Sequence, residues 1–196
     1  MTPTRRRFVL GALALAAPRA WADPVPDIQP GTWNALRRGG HVILMRHAST
    51  VEGLGDPPGL RLGDCGTQRN LSDKGRDEAR RVGARFRGER VPIERVYSSP
   101  WCRCMETAQL AFGSAEEWDP LGSFFDQPEL DEENTSHVRK RIATYSRRNL
   151  RGNVAMVTHT VNIASLTKRT VRTAEIVIVR PDGCCGLRVV DQLKLV

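Results

Sequence analysis

The run His41-Val42-Ile43-Leu44-Met45-Arg46-His47-Ala48 decides the fold of this chain. Its four consecutive apolar residues indicate a short central strand that is buried on both faces. A second run, Val154-Ala155-Met156-Val157-Thr158-His159, has the same character and also ends in histidine. Because sites in such sheets form at the carboxyl ends of the strands, we expect His47 and His159 to meet at one edge.

The segments around these two runs alternate between helical and strand patterns. Ser72 is a suitable N-cap for one helix, and Ser99-Pro100 opens another with proline at its first position. A further helix is predicted over residues 136–149, and Arg180-Pro181-Asp182-Gly183 predicts the turn of a β-hairpin. Residues 48–70 are rich in Gly, Pro and Asp and predict a long loop of the kind that is usually functional. This alternation predicts an α/β fold with a mostly parallel central sheet flanked by helices.

The N-terminus has the pattern of a cleavable export signal. Arg5-Arg6-Arg7 precedes an apolar stretch over residues 8–17, and Ala20-Trp21-Ala22 offers small residues for a signal peptidase. The arginines favour the twin-arginine route, with general secretion as the alternative. We therefore expect cleavage after Ala22 over residues 1–22, a single domain over residues 23–196, and a periplasmic location. The partners that this predicts are the export machinery and the signal peptidase.

The charge of the chain argues against several classes of partner. The formal net charge is +8, and residues 1–22 contain four arginines and no acid, so the mature domain carries only +4. No basic run with interleaved aromatic residues appears, which argues against nucleic-acid binding. The apolar N-terminal segment is too short to span a bilayer comfortably, so no stable membrane span is expected in the mature form.

Five cysteines make a disulfide plausible in an exported protein, and the odd count leaves at least one thiol over. Cys65 is expected to pair with Cys102 or with Cys104, because both regions should flank the same cleft. Cys184 and Cys185 are adjacent, and the spacing of the other cysteines does not suit a usual zinc site. No metal site and no cofactor are predicted.

Four side chains are expected to form a site for a phosphate group. A neutral imidazole such as His47 can attack a phosphate without the repulsion that an anionic nucleophile meets. The planar guanidinium groups of Arg46 and Arg103 match phosphate oxygens, and Arg103 lies in the first turn of a helix, where an anion is favoured. His159 is placed to donate a hydrogen bond to the phosphate as charge moves in the transition state.

The motifs at these positions resemble those of the histidine phosphatase superfamily, the phosphoglycerate-mutase-like enzymes. The matching segments are Arg46-His47-Ala48, Gln68-Arg69-Asn70-Leu71-Ser72-Asp73-Lys74-Gly75, Ser98-Ser99-Pro100-Trp101-Cys102-Arg103-Cys104-Met105-Glu106-Thr107-Ala108 and the late His159. The resemblance covers residues 36–180, and it rests on four motifs in the family's order. It implies a three-layer sandwich fold and hydrolysis of small phosphorylated substrates. By the resemblance, His47 would be phosphorylated, while Arg46, Arg103 and His159 would hold the phosphoryl group.

The chain departs from the family at the proton donor. Many members place an acidic residue after the helix that carries the Arg103-type arginine, and Ser123 falls near that position here. Asp126 is the predicted substitute, since an alkoxide leaving group needs a general acid. The leading hypothesis is an exported phosphatase acting on phosphomonoesters, including envelope sugar phosphates. The alternative is a non-catalytic or nearly inactive phosphate-ligand binding module with the same pocket.

Overall fold

The computed structural model describes residues 30–147, 150–183 and 186–196, so the predicted export signal lies outside the described residues. Five α-helices and six strands form in this part of the chain. The helices are α1 (Pro30–Arg37), α2 (Asp73–Gly88), α3 (Cys102–Phe112), α4 (Asp131–Arg147) and α5 (Thr160–Thr167). The strands are β1 (Val42–Arg46), β2 (Ile93–Ser98), β3 (Glu116–Glu117), β4 (Asn153–Thr158), β5 (Ile176–Asp182) and β6 (Gly186–Leu193).

The strands form one sheet in the order β3-β2-β4-β1-β5-β6. The neighbours from β3 to β1 pair in parallel, whereas β5 is antiparallel to both β1 and β6. The mostly parallel α/β sheet predicted from the sequence is therefore confirmed, with an antiparallel hairpin at one edge. That hairpin follows the predicted turn, but β5 continues through Pro181 to Asp182 before the chain reverses.

Apolar side chains alternate between the two faces of the sheet and give three layers. Along β1, Ile43 and Met45 contribute to a core that packs against α2 and α3, while Val42 and Leu44 contribute to a second core against α4 and α5. All four side chains are fully buried. A strand buried on both faces is a continuous apolar run rather than an alternating one, which explains the sequence pattern. The three-layer sandwich is confirmed.

The helix after β2 begins later than predicted. Pro100 precedes α3 instead of occupying its first position, and the N-cap is Trp101, whose backbone is extended. The extended conformation continues past β2 because the Ser99 N–H donates to the carbonyl oxygen of Val157. Proline also disfavours the helical conformation in the residue before it. Arg103 nevertheless lies in the first turn of α3, as predicted.

The helix α4 begins earlier than the predicted residues 136–149. Its first turn contains three acidic residues, Asp131, Glu132 and Glu133, and negative charge there is stabilised by the helix dipole. The helix ends at Arg147, and residues 148–149 lie outside the described residues. Among the described helices, none is both long and apolar enough to cross a membrane.

The long loop predicted over residues 48–70 is closed at its base. A disulfide joins Cys65 to Cys102 at the start of α3. Of the two pairings that the sequence left open, the structure selects Cys102, and Cys104 is a buried free thiol. The loop also includes a short 3-10 helix, Cys65–Thr67. Cys184 and Cys185 lie outside the described residues.

Candidate active site

A cleft of about 210 Å³ opens at the edge of the sheet where β1 and β4 end. It brings together the four residues predicted from the sequence, and it adds two that sequence reasoning missed, Arg69 and Asp56. Its rim includes the predicted proton donor Asp126. The residues that line the cleft include Arg46, His47, Leu54, Asp56, Arg69, Arg103, Ser123, Phe125, Asp126 and His159.

The backbone of His47 is held between the two neighbouring strands. Its N–H donates to the carbonyl oxygen of Thr158 at 3.0 Å, and its carbonyl oxygen accepts from the Ala174 N–H at 3.2 Å. The next residue is tied to α3, because the Ala48 N–H donates to Thr107 Oγ1 at 3.1 Å. His47 is only 4% exposed, so its position is fixed by the scaffold.

The ring of His47 has one defined tautomer. Its Nδ1 lies 2.9 Å from the carbonyl oxygen of Ala48, and a carbonyl can only accept, so Nδ1 carries the proton. The unprotonated nitrogen is therefore Nε2. Burial is the largest cause that lowers the pKa of His47 to about 3, and the positive charges of Arg103 and Arg46 contribute to the same shift. The imidazole is neutral at neutral pH and keeps a lone pair on Nε2 for attack on an electrophile.

The second histidine, His159, follows β4 and is also 4% exposed. Its ring centroid lies 5.4 Å from that of His47, and the indole of Trp101 packs edge-on against it at 5.3 Å. His159 Nε2 lies 2.9 Å from Ser99 Oγ, which already accepts from the Trp101 N–H. The Ser99 hydroxyl can therefore donate to Nε2, which favours a proton on Nδ1 as a donor to a ligand.

Burial is also the main reason that the pKa of His159 lies well below its usual value, with His47, Arg103 and Arg46 acting in the same direction. The buried thiol of Cys104 lies 3.5 Å from His159 Nε2. Burial raises the pKa of that thiol to about 12. The thiol is therefore protonated at neutral pH and adds no negative charge to the cleft.

Three guanidinium groups surround His47. Arg46 donates from Nη1 to the carbonyl oxygen of Val171 at 3.0 Å, and Arg69 donates from Nη1 to that of Gly53 at 2.6 Å. The Nε atoms of Arg46, Arg69 and Arg103 are all buried and have no hydrogen-bond partner among the described residues. A buried N–H without a partner is unfavourable, so these three donors indicate a missing acceptor, such as an oxyanion. Arg69 belongs to the motif segment of residues 68–75, but no role in the site was predicted for it.

Asp56 is the anion that faces these cations. Its carboxylate forms a two-pronged ion pair with Arg103, with Nη1–Oδ1 at 2.6 Å and Nη2–Oδ2 at 3.0 Å. Burial alone would raise the pKa of Asp56, but the hydrogen bonds and charge of Arg103 lower it below its usual value. No motif marks Asp56 in the sequence, because it is one of several acids in a long irregular loop.

The rim opposite Asp56 comes from the segment after β3. The Thr158 hydroxyl donates to the carbonyl oxygen of Leu121 at 2.6 Å, and the Asn162 amide donates to that of Gly122 at 2.8 Å. These bonds hold the segment against the end of β4. Phe125 and Asp126 then extend over the cleft as exposed side chains.

The charge of the cleft suits an oxyanion. Three guanidinium groups line the cleft together with two carboxyl groups, that of Asp56, which is paired with Arg103, and that of Asp126 on the rim. Both imidazoles are neutral, so positive charge is in excess. Within residues 30–147, 150–183 and 186–196, no group of three or more His, Cys, Asp or Glu side chains comes together as a metal site would require. The donors are N–H groups, which match the oxygens of a phosphate.

Comparisons with known proteins find a matching family model and related folds. The family model of the histidine phosphatase superfamily (branch 1) matches residues 42–132. A structure of the protein histidine phosphatase SixA with tungstate is 21% identical, with a TM-score of 0.57 over 79% of this chain and 96% of that chain. A phosphoserine phosphatase variant from Entamoeba histolytica in complex with phosphoserine is 15% identical, with a TM-score of 0.52 over 79% of this chain and 97% of that chain.

YhfR from Bacillus stearothermophilus is 19% identical, with a TM-score of 0.52 over 76% of this chain and 94% of that chain. A search of curated proteins finds no match. The structural likenesses show the shared fold. The family model adds a sequence match to the histidine phosphatase superfamily over residues 42–132, fewer than half of the residues of the chain, and this segment contains His47 and Arg103.

Proposed function

We propose that this protein is a phosphatase that hydrolyses phosphomonoesters through a phosphohistidine intermediate on His47. The observation that carries the proposal is the state of that ring. Its Nδ1 proton is committed to the carbonyl oxygen of Ala48, its pKa is lowered to about 3, and it lies among three guanidinium groups. A neutral nucleophile in a cationic cleft meets the needs of attack on a dianionic phosphate.

The charge balance supports the same substrate. The guanidinium groups of Arg46, Arg69 and Arg103 outnumber the two carboxyl groups that line the cleft, those of Asp56 and Asp126. The excess of positive charge suits a phosphomonoester, which is an anion. The cleft of about 210 Å³ admits the phosphoryl group and the nearest atoms of the alcohol.

In the proposed reaction, His47 Nε2 forms a bond to phosphorus while the bond from phosphorus to the ester oxygen breaks. An alkyl oxygen takes a proton and departs as the alcohol, whereas an aryl oxide departs as the anion and takes its proton from solvent afterwards. A water molecule then attacks the phosphohistidine, the bond between nitrogen and phosphorus breaks, and inorganic phosphate and neutral His47 result. The proton lost by the water balances the proton taken by the leaving group. Arg46, Arg103 and His159 hold the phosphoryl oxygens in both steps.

Asp126 is the proposed proton donor to the leaving oxygen. It lies on the rim, where the alcohol part of the substrate would extend. Asp56 is less suited to this role, because its ion pair with Arg103 keeps it deprotonated. An exposed donor on a rim favours substrates whose leaving group needs little protonation.

The location proposed for the protein is the periplasm, with residues 1–22 removed. The support is the N-terminal pattern of arginines, apolar residues and Ala20-Trp21-Ala22. An envelope sugar phosphate is the proposed substrate class, because such compounds are phosphomonoesters present in that compartment. The disulfide between Cys65 and Cys102 is consistent with an oxidising compartment.

Turnover of an aryl phosphate by the full chain tests the proposal. The assay runs from pH 4 to pH 8 beside His47→Ala, with His137→Ala, at an exposed histidine of α4, as the matched control. An aryl oxide leaves easily, so a weak proton donor does not hide activity. We expect turnover that is lost in His47→Ala and kept in His137→Ala. No turnover by the unaltered chain, with inorganic phosphate still bound, would support the binding-module alternative instead.

A further inference from the structure

The carboxylate of Asp56 accepts hydrogen bonds from four N–H groups. Two come from Arg103, at 2.6 and 3.0 Å. The Arg69 backbone N–H donates to Oδ1 at 3.1 Å, and the Trp101 indole N–H donates to Oδ2 at 3.1 Å. Four donors nearly fill the acceptor capacity of a carboxylate, so its position and orientation are fixed.

This arrangement leaves a particular edge of the Arg103 guanidinium for a ligand. Asp56 takes the end edge, which is formed by one N–H of Nη1 and one of Nη2. The side edge, formed by Nε–H and the second N–H of Nη2, remains. Nε of Arg103 is buried and has no hydrogen-bond partner among the described residues, although the residue lines the cleft and is only 4% exposed. A side edge of this kind binds two oxygens of a phosphate at once.

We propose that Asp56 is a positioning residue of the phosphatase, which holds the end edge of Arg103 so that its side edge faces the phosphoryl group. The inference rests on the proposed function, since it assigns a role within the same site. Asp56 itself does not touch the substrate. It acts through Arg103, whose other hydrogen bond to the protein is a long one of 3.5 Å from Nη1 to the carbonyl oxygen of Arg69.

The same carboxylate also orders the second histidine. Asp56 holds the indole of Trp101, and that indole packs edge-on against the ring of His159 at 5.3 Å between centroids. Asp56 therefore fixes the orientation of the Arg103 guanidinium and the position of the Trp101 indole, which packs against His159. A loss of Asp56 would loosen both groups without removing either.

The loop that carries Asp56 is anchored independently of the ion pair. Cys65 is joined to Cys102 by the disulfide, and the Cys102 N–H donates to Gln68 Oε1 at 2.9 Å. Both anchors reach the first turn of α3, which also carries Arg103. Substitution of Asp56 should therefore leave the fold and the loop base in place, so that effects on the site can be measured.

A simpler role for Asp56 would be to offset positive charge. In that case, removing it would raise the net charge of the cleft and strengthen the binding of every anion. Positioning predicts a different result. Inorganic phosphate gains from the extra charge, whereas vanadate loses, because a transition-state analogue depends on correctly oriented donors.

The test compares Asp56→Ala and Asp56→Asn with Asp64→Asn in the full chain. Asp64 is a matched control, because it lies in the same loop and forms an exposed ion pair with Arg61. We expect kcat/KM for an aryl phosphate to fall about 100-fold in Asp56→Ala, mainly through kcat, because donor misplacement by about 1 Å has that effect. Vanadate binding should weaken about tenfold, while phosphate binding stays equal or tightens. Added formate, which can occupy the space of the lost carboxylate, should restore part of the activity.

Several results would overturn the inference. One is kcat/KM within about twofold of the unaltered chain in both Asp56 variants, which is no more than a surface substitution causes. Another is tighter binding of both vanadate and phosphate by the Asp56 variants, which is the result expected if Asp56 only offsets positive charge. A parallel loss of both ligands with a lower unfolding temperature and no formate rescue would show a merely structural role. If the unaltered chain has no turnover, the proposed function fails, but the opposite shifts of vanadate and phosphate binding still test the positioning.

Discussion

The floor and the rim of the cleft are built in different ways. The floor consists of Arg46, His47, Arg103 and His159, which follow strands or begin a helix, and the last three are each 4% exposed. The rim consists of Leu54, Phe125 and Asp126, which extend from loops. Leu54 is 90% exposed and Phe125 is 55% exposed. Regular backbone fixes the floor, whereas the rim has little packing around its side chains.

This difference corresponds to the two parts of a phosphomonoester. The phosphoryl group is the same in every substrate and needs donors held to within a fraction of an ångström. The alcohol part varies among substrates, and it would lie against the rim. We infer that the floor determines the chemistry and that the rim determines which ester is accepted. Substitutions in the floor, in its scaffold and in the rim should therefore have different effects.

The largest effect should follow a change in the floor. His159→Ala removes a donor to the phosphoryl oxygens, and we expect kcat to fall about 1,000-fold, since removal of one such donor typically costs 10²–10³-fold. The loss should be similar for aryl and alkyl phosphates, because both present the same phosphoryl group. Steady-state kinetics on the two substrates checks this. A loss restricted to one ester would contradict the assignment of His159 to the floor.

The scaffold under the floor should be intolerant of added volume. A Cβ at Gly75 in the first turn of α2 would lie 1.8 Å from the carbonyl oxygen of Ser49, two residues after His47. Ala normally favours a helix over Gly, but here the backbone must move, so we expect Gly75→Ala to destabilise the protein by about 3 kcal/mol. Gly88→Ala is the control, because nothing lies within 4 Å of its added Cβ. Denaturant unfolding of both variants measures the difference, and equal stabilities would contradict this account.

Substitutions in the rim should slow the reaction only for esters whose leaving oxygen must be protonated. Asp126→Asn removes the proposed proton donor, and we expect about a 100-fold lower kcat/KM for an alkyl phosphate, at the low end for general acid catalysis. For an aryl phosphate the change should stay within about twofold, because the aryl oxide leaves without a proton. The ratio of the two rates is the measurement. An equal decrease in kcat/KM for both esters would contradict this role and would indicate that Asp126 acts on the phosphoryl group.

The sequence predicted the floor better than the rest of the site. Arg46, His47 and His159 were predictable because an apolar run marks each strand and its end, and Arg103 because it follows a helix start. Asp56 was not predictable from the sequence. Its contact with Arg103, 47 positions away, depends on how an irregular loop folds back on α3. The start of α3 was also misplaced, because a hydrogen bond from Ser99 to β4 is a tertiary effect.

The buried histidines of the floor should make stability depend on pH. In the folded protein the pKa of His47 is about 3, against 6.5 for an unperturbed histidine, so below pH 6.5 the unfolded state binds more protons. Stability is fully present above pH 6.5 and falls as the pH decreases. Between pH 6.5 and pH 5 the loss from His47 is about 2 kcal/mol. The pKa of His159 and that of His41 are lowered in the same direction.

Denaturant unfolding at pH 7.5 and pH 5 checks this prediction. His47→Asn should reduce the pH dependence, because the group that gains a proton on unfolding is gone. His137→Asn, at an exposed histidine of α4, is the comparison variant. The same pH dependence in the unaltered chain and in His47→Asn would show that His47 is not held neutral by burial.

Phosphorylation of His47 is the step on which the proposed reaction depends, and it can be observed by trapping the intermediate. The full chain is mixed with an aryl phosphate, quenched in alkali to preserve phosphohistidine, and mapped by peptide mass spectrometry. The account predicts a phosphoryl group on the peptide that contains His47, at the ring nitrogen Nε2, and none in His47→Ala. Turnover without any phosphorylated His47, or a phosphoryl group on His159 instead, would contradict it.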